Sequence, residues 1–177
     1  MKLVILDRDG TINHDSDAYI KSLEEWRPIK GSLEAIGRLT QADYRVVVAT
    51  NQSGIARGLL DTKTLFAIHD ALQRAVGQVG GRIDAFFFCP HAADAGCECR
   101  KPQPGMLLEV ALRFNVSLED VYMVGDAQRD LEAAAAAGAK PVLVLTGKGR
   151  KTKEEGKLPK GTEVFADLAA FAERLAP

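Results

Sequence analysis

The stretch Leu3-Val4-Ile5-Leu6-Asp7-Arg8-Asp9-Gly10-Thr11 decides the fold of this 177-residue chain. Its apolar half predicts a buried strand, and two carboxylates one residue apart follow at once. Because side chains alternate along a strand, we expect Asp7 and Asp9 to point to the same side. Two like charges at a strand end repel each other unless a cation lies between them, and oxygen ligands suit Mg²⁺. The alternative interpretation is a polar turn that simply ends the strand.

Short apolar segments alternate with helical patterns along the rest of the chain. Besides Leu3–Leu6, the sequence predicts strands at Arg45–Ala49, Asp84–Phe88, Val121–Val124 and Pro141–Leu145. It predicts one helix capped by Ser32, one capped by Asp61 or Thr62, and one that begins at Pro104 and stops at Asn115. It predicts further helices over Arg129–Ala137, ending at Gly138, and over Asp167–Leu175. Alternating strands and helices indicate an α/β fold with a doubly wound, Rossmann-like parallel sheet. The charged stretch Lys148–Lys160 is predicted to be a solvated loop.

Composition narrows the class of partner. The chain has 23 basic and 24 acidic residues, a net charge of −1, so no strong field favours nucleic acid or an anionic membrane. No apolar run is long enough to cross a membrane, and no signal peptide is visible before the first strand. We therefore expect one cytoplasmic domain over residues 1–177, a monomer that acts on a small molecule.

A compact cluster of sulfur and nitrogen ligands lies in the middle of the chain. Its members follow the pattern C-x-H-x₅-C-x-C and are Cys89, His91, Cys97 and Cys99. Three thiols and one imidazole form a closed tetrahedral set for structural Zn²⁺. The alternative is a group of free thiols, but an odd, clustered set in a cytoplasmic protein favours metal over disulfides. Such a zinc ion would pin the loop directly before Arg100-Lys101.

Polar groups also follow the other predicted strands. Thr50-Asn51-Gln52-Ser53-Gly54 offers a hydroxyl and backbone N–H groups for a phosphoryl oxygen, and Arg100-Lys101 adds two cations. Asp126 follows the Val121–Val124 strand, and Asp130 comes four residues later, where it can instead begin a helix. Carboxylates, a hydroxyl and a lysine at one sheet edge indicate metal-assisted phosphoryl transfer.

The segments Asp7-x-Asp9-Gly10-Thr11, Thr50, Lys101 and Gly125-Asp126-x-x-x-Asp130 resemble, in order, the four motifs of the haloacid dehalogenase superfamily. The resemblance implies a fold of that type and an aspartyl-phosphate on Asp7. It implies that Asp9 protonates the leaving oxygen and then deprotonates the hydrolytic water, while Thr50 and Lys101 hold the phosphoryl group. It assigns Mg²⁺ to a carboxylate oxygen of Asp7, the backbone carbonyl of Asp9, and Asp126. An acid at position 9 favours a phosphatase over an ATPase or a dehalogenase.

Within the superfamily, a zinc loop before Arg-Lys-Pro resembles two groups of phosphatases. One group acts on heptose bisphosphates in lipopolysaccharide-precursor synthesis, and the other acts on histidinol phosphate. The serine at position 53 resembles the heptose group, because the histidinol group carries aspartate at that position. The resemblance implies a substrate-binding set consisting of Asp15, Asn51, Gln52, Ser53 and Arg100.

Two further hypotheses concern selectivity and the absence of catalysis. The segments 10–49 and 54–100 leave no room for a cap domain, so we expect an open site whose selectivity comes from short loops. The second phosphate of a bisphosphate gives such a site another group to bind with a cation. Arg57 or the Lys148–Lys151 group can supply it. The non-enzymatic alternative is a zinc-loop docking module on a degenerate phosphatase fold, which predicts loss of Asp7, Asp9 or Lys101. All three are present.

Overall fold

One sheet of six parallel strands carries the molecule, in the order β3-β2-β1-β4-β5-β6. A computed structural model describes residues 1–177. The strands are β1 (Leu3–Leu6), β2 (Arg45–Asn51), β3 (Ala85–Cys89), β4 (Tyr122–Gly125), β5 (Lys140–Val144) and β6 (Glu163–Phe165). The helices are α1 (Ser32–Gln41), α2 (Thr62–Gln78), α3 (Gly105–Phe114), α4 (Gln128–Ala137), α5 (Gly149–Glu155) and α6 (Leu168–Leu175), and a 3₁₀ turn covers Leu23–Glu25. The predicted α/β doubly wound parallel sheet is confirmed.

The central strand β1 is buried on both faces, which is why it is apolar without a polar alternation. Val4 and Leu6 join one core cluster, with residues of α1, α2 and α6, whereas Leu3 and Ile5 join the other, with residues of α3 and α4. Strand β1 lies between β2 and β4, where the order of the strands reverses. Ligands of open α/β sheets bind at the carboxyl end of such a reversal. The motif at the end of β1 therefore lies at the expected position for a site.

Several predicted helix signals are found where the sequence placed them. Asp61 caps α2 by accepting a hydrogen bond from the Thr64 amide at 2.7 Å. Asn115 ends α3 in the left-handed conformation, at φ 50°, and Gly138 ends α4 in the same way, at φ 77°. Asp167, predicted as the first residue of the last helix, precedes α6 by one position and caps it through the Ala170 amide at 2.8 Å. These signals are local, so they depend on no distant contact.

Other boundaries differ from the prediction. Ser32 does not cap α1: Gly31 holds that position at φ 85°, and the Ser32 hydroxyl donates to the Thr11 carbonyl. Pro104 precedes α3 instead of starting it. Strand β1 has the predicted bounds, whereas the other predicted strands differ by one or two residues, with β2 extending to Asn51. Strand β6 was missed because an exposed three-residue edge strand carries almost no period.

The prediction of a loop over Lys148–Lys160 is wrong, because α5 spans Gly149–Glu155. This helix has no apolar stripe from which the sequence could predict it. A tertiary contact holds it instead: the buried Thr152 hydroxyl donates to the Asp126 carbonyl at 2.9 Å. None of the helices in the structure is both long and apolar enough to span a bilayer.

Candidate active site

A polar cavity of about 180 Å³ opens at the carboxyl edge of the sheet. Its lining includes Asp7, Asp9, Thr50, Arg100 and Lys148. A larger groove of about 840 Å³ lies near the amino end of β1, between α1 and α6, but no cluster of potential metal ligands lies there. The chemistry is therefore concentrated in the smaller cavity.

Asp7 extends β1 by one residue and pairs with a buried lysine. Its amide donates to the Val124 carbonyl at 2.8 Å, which fixes the backbone against β4. Lys101 Nζ lies 2.9 Å from Asp7 Oδ1 and donates to the Ala49 carbonyl at 2.7 Å. Burial raises the pKa of Asp7 to about 6, with repulsion from Asp130 adding to the rise and Lys101 opposing it. A desolvated carboxylate beside one cation is suited to act as a nucleophile.

Asp9 lines the same cavity but has a different environment. Arg8 contacts both of its oxygens, with Nε at 2.9 Å from Oδ1 and Nη2 at 3.1 Å from Oδ2. Asn13 donates to Oδ1 at 2.9 Å and Gln52 to Oδ2 at 3.0 Å. Burial raises the pKa of Asp9, but the Arg8 charge and these hydrogen bonds outweigh burial and hold the pKa below its usual value. In the free protein Asp9 is therefore ionised.

Three carboxylates form a second feature of the site. Ligand oxygens of Asp7, Asp126 and Asp130 all lie within 4.8 Å of one another. Asp126 Oδ1 is buried and has no hydrogen-bond partner, and burial together with Asp130 and Asp7 raises the pKa of Asp126 to about 8. The glycine at position 10 makes room for this carboxylate, because a Cβ on residue 10 would clash with Asp126 Oδ2. An orphaned oxygen in a repulsive acidic cluster fits a hard cation such as Mg²⁺.

Asp130 was not among the metal ligands predicted from the sequence. Its carboxylate accepts from the Ala127 amide at 3.0 Å, as expected at the start of α4, and also lies 2.7 Å from Lys101 Nζ. This contact is a fully buried ion pair. The Asp9 carboxylate stands outside the acidic cluster, and only its backbone carbonyl was predicted to bind metal.

The acidic cluster predicts an unusual pH dependence of stability in the metal-free protein. Because the folded pKa values of Asp7 and Asp126 exceed the usual 3.8, the native state holds more protons than the unfolded chain. The contribution of these groups to stability is present below pH 3.8 and is lost as the pH rises through about 6 and about 8. We expect Tm to fall over this range and Mg²⁺ to raise Tm more at the alkaline end.

Thermal unfolding with and without Mg²⁺ at the two ends of this pH range measures the effect. Asp126→Asn is the informative variant, because it removes the carboxylate with the largest raised pKa and should flatten both dependences. An equal Mg²⁺ shift at both ends would contradict a cation site built on these carboxylates.

The turn after β2 contributes the predicted hydroxyl and amides. Thr50 is buried and lines the cavity, and Gln52 Nε2 donates to its hydroxyl at 3.0 Å. Asn51 lines the cavity, yet its amide also brackets Lys101: Nδ2 donates to the Lys101 carbonyl at 2.9 Å, and Oδ1 accepts from the Lys101 amide at 3.1 Å. Ser53 also lines the cavity. Asn51 therefore helps to position the lysine.

The cationic rim differs in part from the prediction. Arg100 and Asp15 line the cavity, and Lys148 lies 3.4 Å from Asp15 Oδ2. Arg57 is absent from the lining and instead lies over the Tyr19 ring, at 5.7 Å from its centroid. The structure adds Arg129, whose buried Nε has no hydrogen bond and which lines the cavity. No sequence signal pointed to Arg129, because it precedes Asp130 inside a motif position of no fixed type.

The cysteine–histidine cluster is assembled as a four-ligand set. The Cys89 sulfur lies 3.2 Å from that of Cys99 and 3.7 Å from that of Cys97, and His91 Nδ1 lies 3.3 Å from the Cys99 sulfur. Ligands at about 2.3 Å from a tetrahedral zinc ion would be roughly this far apart. Burial raises the pKa of Cys89 to about 12, so a thiolate there requires a cation. The set fits Zn²⁺ and ends one residue before Arg100.

Comparisons with known proteins agree with this geometry. A sequence model of the HAD-hydrolase-like family matches residues 98–171, which include Lys101 and Asp126. The chain is 62% identical to the D-glycero-beta-D-manno-heptose-1,7-bisphosphate 7-phosphatase of Bordetella bronchiseptica over 99% of its own length and 98% of the relative's. It is 57% identical to the Pseudomonas putida enzyme of the same name, over 99% of both.

Solved structures give the same result. The crystal structure of the B. bronchiseptica D,D-heptose 1,7-bisphosphate phosphatase, complexed with magnesium and phosphate, superposes with a TM-score of 0.98 at 62% identity, over 99% of this chain and 98% of that one. The corresponding phosphatase from Burkholderia thailandensis superposes with a TM-score of 0.79 at 51% identity, over 99% and 98%.

Proposed function

We propose that this chain, which belongs to the D-glycero-beta-D-manno-heptose-1,7-bisphosphate 7-phosphatase family of the HAD-like hydrolases, removes the 7-phosphate of that heptose bisphosphate. It is a phosphatase, and its substrate is a small sugar bisphosphate of lipopolysaccharide-precursor synthesis. The observation that carries the proposal is the buried Lys101–Asp7 pair, in which Asp7 lines the polar cavity and lies within 4.8 Å of the Asp126 carboxylate.

The proposed reaction has two steps at phosphorus. A carboxylate oxygen of Asp7 attacks the 7-phosphoryl group, the bond to the sugar oxygen breaks, and Asp9 gives that oxygen a proton. Asp9 then takes a proton from water, which attacks the phosphorus and releases Asp7 and phosphate. Thr50 and Lys101 hold the phosphoryl oxygens, and Asn51 keeps Lys101 in place.

The donor set around Asp9 suits both steps. In the free protein, Arg8 and the two amides hold Asp9 ionised, as the water-activating step requires. A dianionic phosphate close to Asp9 raises its pKa, because like charges disfavour the ionised form. Bound substrate therefore favours the protonated acid that the first step requires. No added residue is needed to switch the role.

The acidic cluster supports a bound cation. We propose that Asp7, Asp126 and the Asp9 carbonyl hold Mg²⁺, with Asp130 acting through Lys101. When bound, the ion supplies positive charge that offsets the phosphoryl oxygens and the acidic cluster.

The second phosphate of the substrate calls for a cation away from Asp7. Lys148 lines the cavity and remains our candidate, and Arg100 and Arg129, which also line it, join it. Asp15, Gln52 and Ser53 complete the proposed substrate-binding set at the same cavity. Arg57 is set aside because it does not line the cavity. We propose that one capless domain serves this reaction as a cytoplasmic monomer.

We propose a structural Zn²⁺ at the Cys89–Cys99 cluster, and this predicts a defect in a loop variant. Cys97→Ser should lower bound zinc from one ion per chain to none and lower kcat/KM by about 10–100-fold, because the loop that aims Lys101 loosens. Metal analysis and steady-state kinetics measure both quantities.

The matched control is Asp94→Ser, an exposed change in the same loop that spares the ligand set. It should retain zinc and activity. A zinc-free Cys97→Ser protein with full kcat/KM would disconnect the cluster from the site.

The substrate assignment is tested by comparing kcat/KM for three phosphate esters. They are the beta and alpha anomers of the heptose 1,7-bisphosphate, and histidinol phosphate. We expect the beta anomer to be preferred over histidinol phosphate by 10²-fold or more, about 2.7 kcal/mol of differential transition-state binding. A preference for histidinol phosphate would overturn the assignment and leave the phosphatase chemistry intact.

A further inference from the structure

Arg8 is the residue between the two motif carboxylates, and its side chain is fully buried. Asp7 points towards the side of α3 and α4, as Ile5 does, so alternation sends Arg8 to the opposite face, beneath α2. From there the guanidinium reaches back and contacts both oxygens of Asp9, at 2.9 and 3.1 Å. This two-point contact fixes the plane of the carboxylate as well as its charge.

His69 of α2 holds the far side of the same guanidinium. Its Nε2 lies 3.3 Å from Arg8 Nη1, and its ring stacks on Phe86 of β3 with centroids 4.3 Å apart and an interplanar angle of 12°. Because an arginine has only donors, Nε2 must accept, which makes the ring neutral and places its proton on Nδ1. Burial, together with the Arg8 charge, lowers the pKa of His69 to about 3, consistent with a neutral ring.

The arrangement is costly if its purpose is only to hold the fold. A buried ion pair seldom stabilises more than apolar residues of the same size would, and here two core positions carry charge and imidazole. Arg8, Asn13 and Gln52 all donate to the Asp9 carboxylate. The rigid elements α2 and β3 thus brace a side chain that stands on a loop.

We propose that His69 and Arg8 are positioning residues that fix the Asp9 carboxyl for proton transfer to the leaving oxygen. His69 orients the Arg8 guanidinium, and Arg8 orients Asp9. The inference rests on the proposed function in one respect, namely that Asp9 donates this proton.

Two substitutions at position 69 separate hydrogen bonding from packing. His69→Phe keeps a ring against Phe86 but removes the acceptor, whereas His69→Gln removes the ring and keeps an acceptor near Nε2. His69 is not part of the cavity lining, so neither substitution removes a group that lines the cavity. Thermal unfolding of both variants reports their folding, so a defect that reflects lost structure is recognised directly.

The informative quantity is the ratio of kcat/KM for the heptose bisphosphate to kcat/KM for p-nitrophenyl phosphate. The parameter kcat/KM covers the steps up to departure of the leaving group. A nitrophenolate leaves without the proton that a sugar alkoxide needs. We expect His69→Phe to lower the ratio about tenfold, a part of the roughly 10²–10⁴-fold that general acid catalysis supplies, and His69→Gln to preserve it. A merely structural role would lower kcat/KM for both substrates by the same factor and leave the ratio unchanged.

Asp9→Asn is the reference that separates the two hypotheses. If it lowers the ratio and His69→Phe does not, the positioning role is overturned and Asp9 keeps its function. If Asp9→Asn itself leaves the ratio unchanged, the proposed proton donor is wrong. A ratio that falls equally in His69→Phe and His69→Gln would overturn the hydrogen-bonded support, because His69→Gln keeps an acceptor. A fall in His69→Gln alone would overturn it as well and assign the effect to ring packing.

Discussion

Asp7→Asn is expected to lower kcat/KM for phosphate release by at least about 10⁴-fold, because an amide cannot form the acyl phosphate on which the reaction depends. The loss should be the same for a sugar phosphate and for p-nitrophenyl phosphate, since both pass through Asp7. Steady-state phosphate release at saturating Mg²⁺ measures it. This is the largest effect that any single side chain in the site should produce.

The same change should not unfold the protein. Asp7 is a repelled carboxylate in the metal-free site, as its raised pKa indicates, and asparagine removes that repulsion. We therefore expect Asp7→Asn to melt at or above the wild-type temperature near neutral pH. Asp120→Asn, an exposed change in a surface ion pair, is the matched control and should retain full activity. Residual turnover above about one per cent of wild type in Asp7→Asn would contradict a nucleophilic role.

Lys101→Met is expected to lose both activity and stability. The ammonium is buried between Asp7 and Asp130, at 2.9 and 2.7 Å, so its removal leaves two carboxylates without a cation. Breaking a buried pair in this way costs about 3–5 kcal/mol of unfolding free energy. Denaturant unfolding in the absence of Mg²⁺ should show this loss directly.

Added Mg²⁺ should return part of that stability without returning catalysis. The ion supplies charge to the acidic cluster, but it cannot replace the lysine hydrogen bonds to Asp7 and the Ala49 carbonyl. Lys140→Met, which removes an exposed ion pair, is the matched control and should change little. A Lys101→Met protein as stable as wild type without metal would refute the view that this lysine neutralises the acidic cluster.

Much of the site could be predicted because its signals are local. Asp7 and Asp9 follow a strand that is buried on both faces of the sheet. The four ligands of the Cys89–Cys99 loop lie within one short segment. Capping residues such as Asp61 were equally readable. In each case the residues that carry the signal are neighbours in the chain.

The support of the site was not predictable, because it consists of contacts between distant segments. Arg8 meets His69 across 61 positions, and Asn51 brackets Lys101 across 50. Asp130 looked like the start of a helix and serves that purpose, yet it also pairs with Lys101. Helix α5 was missed for the same reason, since the contact from Thr152 to the Asp126 carbonyl holds it, not an apolar stripe.

The most direct test of the account is to trap the covalent intermediate. Turnover of the heptose bisphosphate with Mg²⁺ is quenched in acid on the millisecond timescale, the protein is digested, and the peptides are analysed by mass spectrometry. We expect a phosphoryl group on the peptide containing Asp7, on the side chain of that residue alone, and none in Asp7→Asn. A phosphoryl group on another residue, or full release of the sugar product with no phosphorylated peptide at any time, would contradict it.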